Sequence, residues 1–125
     1  MVRGIGVDII EIARMRRSVE TLGNQFLEKV FTPQEIAYCR SKYNSHQHLA
    51  ARFAAKEAVS KALSTGWAGE FRWKDVEVIN DASGQPHVTL HGKLHDTLGS
   101  SSILVSISHS ETHVVAMALI EGQSP

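Results

Sequence analysis

His46-Gln-His-Leu-Ala-Ala-Arg-Phe-Ala-Ala-Lys-Glu-Ala-Val-Ser-Lys-Ala-Leu-Ser64 is the stretch that decides the fold. It is rich in alanine, and its alanines fall on several faces of a helix. That pattern belongs to a central helix packed on more than one side. At about 100° per residue, Glu57 and Lys61 lie between Phe53 on one side and Ala50, Ala54 and Ala58 on the other. They share the stripe that makes the apolar contacts, where an unpaired carboxylate costs several kcal/mol. Glu57 and Lys61 are also i and i+4 in the favourable order, so a mutual ion pair accounts for them equally well.

Working outward, Val2 to Ile10 is apolar, contains glycine and is short enough for a buried strand. Glu11 to Leu22 carries apolar residues at Ile12, Met15, Val19 and Leu22, a helical spacing that Gly23 stops. Thr32-Pro33-Gln34-Glu35 is a helix start, with a Thr cap, Pro at the first position and Glu at the third; this helix is predicted to run to about Tyr43. Beyond the central helix, Trp73 to Ile79 alternates like a strand, Asp81-Ala82-Ser83-Gly84 turns, and Pro86 to His91 returns. Gly92 to Leu98 reads as a short helix. Ser102 to Ser108 and Val114 to Glu121 form a hairpin through His109-Ser110-Glu111-Thr112-His113. The expected class is α+β with a mainly antiparallel sheet. Residues 1–121 are expected to form a single domain, followed by a tail at 122–125.

A chain of 125 residues fits one domain, and a domain of that size buries only about two-thirds of its unfolded surface, so oligomerisation would help it. Lys and Arg number 13 against 13 Asp and Glu. No global charge therefore supports generic binding to nucleic acid or a membrane surface. The single cysteine, Cys39, reads as a packing residue and suits a reducing compartment. The opening MVRGIGVDIIEIARMRR places most of its charges after the apolar run, unlike a secretory signal. No apolar run approaches the roughly 20 residues of a membrane span. A cytoplasmic location is expected.

Asp8 adds a second carboxylate in an apolar setting, within Ile5-Gly6-Val7-Asp8-Ile9-Ile10. It can be read as an N-cap for the next helix. Two carboxylates in two apolar segments, with a lysine one turn from one of them, also have a joint explanation. Mg²⁺ takes one or two carboxylates, keeps waters and fills its shell with phosphate oxygens. A nearby lysine neutralises charge on the same phosphates. Other motifs are absent. His109 and His113 have zinc-like i, i+4 spacing but lie in a hairpin and lack HExxH. Ser106, Ser108 and Ser110 stand outside any Gly-x-Ser-x-Gly. No P-loop occurs, and Gly4-x-Gly6 lacks the third glycine of a dinucleotide fingerprint. Arg14, Arg16 and Arg17, with Arg3 nearby, make the first helix basic; Arg14 and Arg17 share a face that is either simply solvated or docks an acidic protein.

The chain resembles the holo-[acyl-carrier-protein] synthase type of 4'-phosphopantetheinyl transferase. The likeness is carried by Gly4-Ile-Gly-Val-Asp-Ile-Ile-Glu-Ile-Ala-Arg14, Arg52-Phe-Ala-Ala-Lys-Glu-Ala-Val-Ser-Lys61 and Ser106-Ile-Ser-His-Ser110, with Phe31-Thr-Pro-Gln-Glu35 and Gly84-Gln-Pro86 in support. It spans nearly the whole chain in order, and Arg-Phe-Ala-Ala-Lys-Glu-Ala is its most specific part.

The resemblance implies transfer of 4'-phosphopantetheine from coenzyme A to a serine of apo-acyl carrier protein in fatty acid biosynthesis, leaving adenosine 3',5'-bisphosphate. It implies Mg²⁺ on Asp8 and Glu57, with Glu57 also touching the serine. Lys61 would stabilise the transferred phosphate. His109 would lie near coenzyme A, and Ser64-Thr65-Gly66 near its phosphates. Arg14 and Arg17 would contact the carrier protein. The same likeness implies the family's fold, a sheet against a long central helix, and a homotrimer with active sites at subunit interfaces.

Three departures stand out. Ser64 replaces the first glycine of the usual Gly-Thr-Gly turn. Tyr43, Asn44 and Ser45 replace basic residues before the long helix. Ile10 stands where larger members of the superfamily carry a second acid, which implies water at that metal position. Two rival readings remain at this level: a module that binds carrier protein or a phosphorylated ligand without turnover, and a plain α+β domain in which Glu57 and Lys61 only pair.

Overall fold

The computed structural model describes residues 1–64, 69 and 71–122. Strand β1 (Val2–Glu11) leads into α1 (Ile12–Val30), α2 (Pro33–Arg40) and the long α3 (Ser45–Leu63). A 3₁₀ turn (Trp73–Asp75) precedes the hairpin β2 (Val76–Asn80) and β3 (Pro86–Leu90). The short α4 (Gly92–Leu98) and a second hairpin, β4 (Ser102–His109) and β5 (His113–Glu121), complete the chain. β5 lies between β1 and β4 in one antiparallel sheet, and β2 and β3 form another. This is the α+β, antiparallel architecture that the hydrophobic periodicities predict.

The centre is α3, packed across β1 and β5. Ala50, Ala54, Ala55, Ala58 and Ala62 are buried along it, facing a sheet whose inner side carries Ala116, Ala118 and Ile120. Small side chains let helix and sheet come close, and β1 contributes glycine at Gly4 and Gly6. A Cβ added to Gly6 would stand 2.0 Å from the Ala58 carbonyl oxygen, and one on Gly4 would stand 2.1 Å from that of Ala62. Backbone therefore meets backbone along this seam.

The capping box forms as predicted. Thr32 Oγ1 accepts from the Glu35 amide at 3.2 Å, and Glu35 Oε1 accepts from the Thr32 amide at 2.9 Å. Three boundaries differ from expectation. Gly23 interrupts the first helix at φ 64°, yet the helix resumes to Val30, because Leu27 and Val30 have a core to enter. α2 stops at Arg40, where the Ser41 hydroxyl turns back to the Tyr38 carbonyl at 2.6 Å. Trp73–Asp75 is a 3₁₀ turn rather than strand, since the Lys56 ammonium draws in the Trp73 and Val76 carbonyls at 2.9 and 2.6 Å.

The outer face of the β1–β5–β4 sheet is exposed and apolar along β1 and β5, with Ser106 and Ser108 beside Leu104 on β4. Ile5, Val7 and Ile9 on β1, Leu104 on β4, and Val115 and Met117 on β5 are all exposed. The register sets Ile5 beside Leu119 and Leu119 beside Leu104, so the patch is continuous. Among the described residues no helix is long and apolar enough to cross a membrane.

Candidate active site

Strand β1 alternates, so Gly4, Gly6, Asp8 and Ile10 face α3 while Ile5, Val7 and Ile9 face away. Asp8 is thereby delivered to the helix surface at the level of Glu57 and Lys61. The Lys61 ammonium donates to Asp8 Oδ1 at 2.9 Å and to the Val7 carbonyl at 3.2 Å. The other carboxylate oxygen, Asp8 Oδ2, is buried and has no partner. A charged acceptor in that state costs more than the 1–3 kcal/mol or so of a neutral orphan. Glu57, half-buried, is pushed above the usual carboxylate range, first by burial and then by the neighbouring Asp8 charge. Hydrogen bonding to Asp8 holds the Lys61 ammonium above its ordinary value.

Both simple readings of these residues are thereby corrected. Asp8 lies inside β1 and caps nothing; Glu11 holds the N-cap position of α1, without a side-chain bond. Lys61 bonds to Asp8 across the seam rather than to Glu57 one turn away. The i, i+4 spacing permits a pair on the helix surface, but a fixed carboxylate on the adjoining strand competes better.

Asp8 and Glu57 open into a cavity of about 330 Å³ whose other walls include Arg14, Met15, Phe26 and Phe53. Arg14 is the cation at its rim. The donor set suits Mg²⁺: two carboxylates, one with an unsatisfied oxygen, beside space for water or phosphate oxygens. Ile10 lines the same wall. Among the described residues no group of three or more His, Cys, Asp and Glu side chains could hold a metal, so the rest of the shell would come from water or substrate.

A second cavity of about 190 Å³ opens on a different side of α3. His48, Arg52, Asn80, Pro86 and His109 line it. Arg52 is 3% exposed, bonds to Asn80 Oδ1 through one nitrogen, and lies over the Tyr38 ring at 4.2 Å. Its Nε is buried without a partner. Burial, followed by the Arg52 charge, pushes His48 below its ordinary value. Sequence reasoning passed over Arg52; the available signal was an arginine set among the buried alanines of α3.

Residues 4–118 match the family model described as the 4'-phosphopantetheinyl transferase superfamily. The chain is 49% identical over 118 residues to the holo-[acyl-carrier-protein] synthase of Chlamydia trachomatis serovar D, covering 94% of this chain and 98% of that one. The chain belongs to the holo-[acyl-carrier-protein] synthase family. Its fold superposes on the holo-[acyl-carrier-protein] synthase of Neisseria meningitidis with a TM-score of 0.85 at 32% identity, covering 97% and 99% of the two chains. The Helicobacter pylori holo-[acyl-carrier-protein] synthase, solved in complex with coenzyme A, superposes at 0.81 with 33% identity, covering 94% and 99%.

The other residues singled out for the synthase reaction are distributed unevenly. His109 lines the second cavity, away from Asp8 and Glu57. Arg14 lines the first. Arg17 is 65% exposed and pairs with Glu11 at 3.4 Å. Ser64 is exposed, its hydroxyl turned back to the Lys61 carbonyl at 2.7 Å. Thr65 and Gly66 lie outside the described residues.

Proposed function

We propose that this chain transfers the 4'-phosphopantetheine group of coenzyme A to a serine hydroxyl of apo-acyl carrier protein, as a Mg²⁺-dependent synthase serving fatty acid biosynthesis. The observation that carries this reading is the orphaned, buried Asp8 Oδ2 beside a half-buried Glu57, with Lys61 on the opposite oxygen. Nothing in the fold needs that oxygen left bare, and a hard cation explains it. Membership of the synthase family supplies the substrates.

Asp8 and Glu57 would hold Mg²⁺, which would offset negative charge on the pyrophosphate when bound. The serine oxygen forms a new bond to the phosphorus on the pantetheine side. The bond from that phosphorus to the bridging oxygen breaks, and adenosine 3',5'-bisphosphate departs. The serine proton passes to Glu57 or to a water held by it; its raised proton affinity suits it to that task. The Lys61 ammonium, 54% exposed, is free to swing from Asp8 to the transferred phosphate and to the leaving oxygen. Arg14 at the rim, with Arg17 beside it on α1, offers charge to an acidic carrier helix, and the partly buried Phe26 and Phe53 offer it apolar contact. Arg52 and His109 in the second cavity, with the segment Ser64-Thr65-Gly66, would receive phosphate groups of coenzyme A.

One coenzyme cannot easily serve two cavities on different sides of α3 in a single chain. The bare sheet face supplies a resolution. An apolar patch this continuous is covered in solution by something. Copies of this chain, assembled as a homotrimer through it, would bring one subunit's Asp8–Glu57 cavity beside a neighbour's His109. Residues 1–121 would act as one catalytic domain within that trimer.

The test is direct. Apo-acyl carrier protein incubated with coenzyme A, Mg²⁺ and the chain is expected to gain the mass of a phosphopantetheine group. Coenzyme A binding with no mass gain would establish a non-catalytic module instead. For the assembly, Met117→Glu is expected to give monomers by sedimentation and to lose turnover while remaining folded; an active monomer would break the shared-site reading.

A further inference from the structure

We infer that Gly6 is a positioning residue for the metal pair: by letting β1 lie against the α3 backbone, it holds Asp8 within reach of an ion shared with Glu57. This rests on the reading of Asp8 and Glu57 as metal ligands.

Gly6 precedes Asp8 by one dipeptide on the same face of β1, and Ala58 directly follows Glu57 on α3. The contact between Gly6 and Ala58 is therefore the point of the seam adjoining both carboxylates. A Cβ on Gly6 would lie 2.0 Å from the Ala58 carbonyl oxygen and 2.8 Å from the Ala62 amide nitrogen. Both are backbone atoms of α3 and cannot rotate away, so strand and helix would have to separate. Any side chain at this position moves Asp8 away from Glu57.

Mg²⁺ is intolerant of such a change, since it demands near-octahedral geometry at about 2.0–2.1 Å from each oxygen. β5 repeats the economy of volume: Ala118 pairs with Gly6 and Ala116 with Asp8, both fully buried. Backbone conformation does not explain the glycine, because positive φ occurs only at Gly23, Gly84 and Gly92 among the described residues. Gly6 is set by proximity.

Gly4 provides an internal control. Its added Cβ would meet the Ala62 carbonyl at 2.1 Å, a collision of the same kind but a dipeptide step farther from Asp8. Gly4→Ala and Gly6→Ala are expected to lower the melting temperature by similar amounts. Mg²⁺ affinity measured by calorimetry should then separate them. Gly6→Ala is expected to weaken it by about 10–100-fold, the range for supporting residues around a metal, while Gly4→Ala leaves it near wild type. Asp8→Glu, whose side chain is one methylene longer, should weaken Mg²⁺ binding alone but restore part of it in the Gly6→Ala background.

Equal loss of affinity in the two glycine variants, or no recovery with Asp8→Glu, would reduce Gly6 to a packing residue. Should Gly6→Ala fail to fold, Ala118→Val places a softer wedge at the same level, and unchanged Mg²⁺ affinity in that variant overturns the inference. Asp8→Asn and Glu57→Gln separate the two readings. If both bind Mg²⁺ like wild type, the metal assignment itself falls; if both lose it while Gly6→Ala retains it, only the positioning role falls.

Discussion

Lys56 and Glu57 are neighbours on α3, yet they enter two charge clusters of opposite character. Lys56 is fully buried and spends its donors on Glu35 at 2.9 Å and on the Trp73 and Val76 carbonyls. Glu35 is equally buried; its oxygens also accept from the Thr32 and Val78 amides at 2.9 and 2.8 Å. Each charge is answered, so the desolvation cost of several kcal/mol per ion is offset. This cluster ties α2, α3 and β2 together. One residue along, Asp8 and Glu57 line one cavity with one oxygen unanswered and an exposed lysine on the other. A satisfied cluster holds a structure, whereas an unsatisfied one waits for a ligand. Burial alone does not tell them apart.

The contrast is most sharply tested by removing charge from each side. Asp8→Asn or Glu57→Gln is expected to lower kcat by about 10²–10³-fold or more with an unchanged or higher melting temperature, because a repelling carboxylate is removed. A matching loss of stability would place the pair with the structural cluster. Glu35→Ala should do the reverse. It leaves Lys56 uncompensated and costs about 3–5 kcal/mol of stability, read by urea unfolding, while any folded fraction retains its kcat. The paired replacement Glu35→Leu with Lys56→Met is expected to cost less than either single change.

Smaller effects refine the picture. Arg14→Glu is expected to raise KM for carrier protein by about 10-fold at low salt and to spare coenzyme A affinity. Arg17→Ala should do less, since Arg17 already pairs with Glu11. Equal damage to both substrates by Arg14→Glu would make that arginine structural. The smallest effect concerns pH. Burial alone would raise Glu77, but hydrogen bonds from Thr32 and His91 outweigh it and hold the carboxyl below its ordinary 4.5. A carboxyl lowered by folding stabilises the protein above its unfolded value and ceases to do so as pH falls through the folded one. Unfolding free energy should therefore decline on the acid side of 4.5, and Glu77→Gln should flatten that decline. An unchanged slope would mean that other carboxylates carry the acid sensitivity.

Much of this was legible in residue order. Periodicity, apolar runs and turn residues marked most of the helices and strands, though not the part of α1 beyond Gly23, and the capping box at Thr32 is local chemistry that needs no distant partner. Two of the three misplaced boundaries have distant causes: the helix resumes after Gly23 because Leu27 and Val30 find a core, and Trp73–Asp75 curls because Lys56 holds its carbonyls. The site divides similarly. Asp8, Glu57 and Lys61 stood out as charges in apolar stripes, whereas Arg52, set among the same alanines, gained its meaning only from Asn80 and Tyr38, far away in the chain.

The linear order of residues determined which side chains share a face, because periodicity is a property of the backbone alone. It also determined the family, through motifs spread over most of the chain. Only the tertiary structure decided the pairing. Lys61 could have bonded within its own helix; it bonds to Asp8 because two glycines and a row of alanines let a strand and a helix touch, and no spacing along the chain encodes that distance.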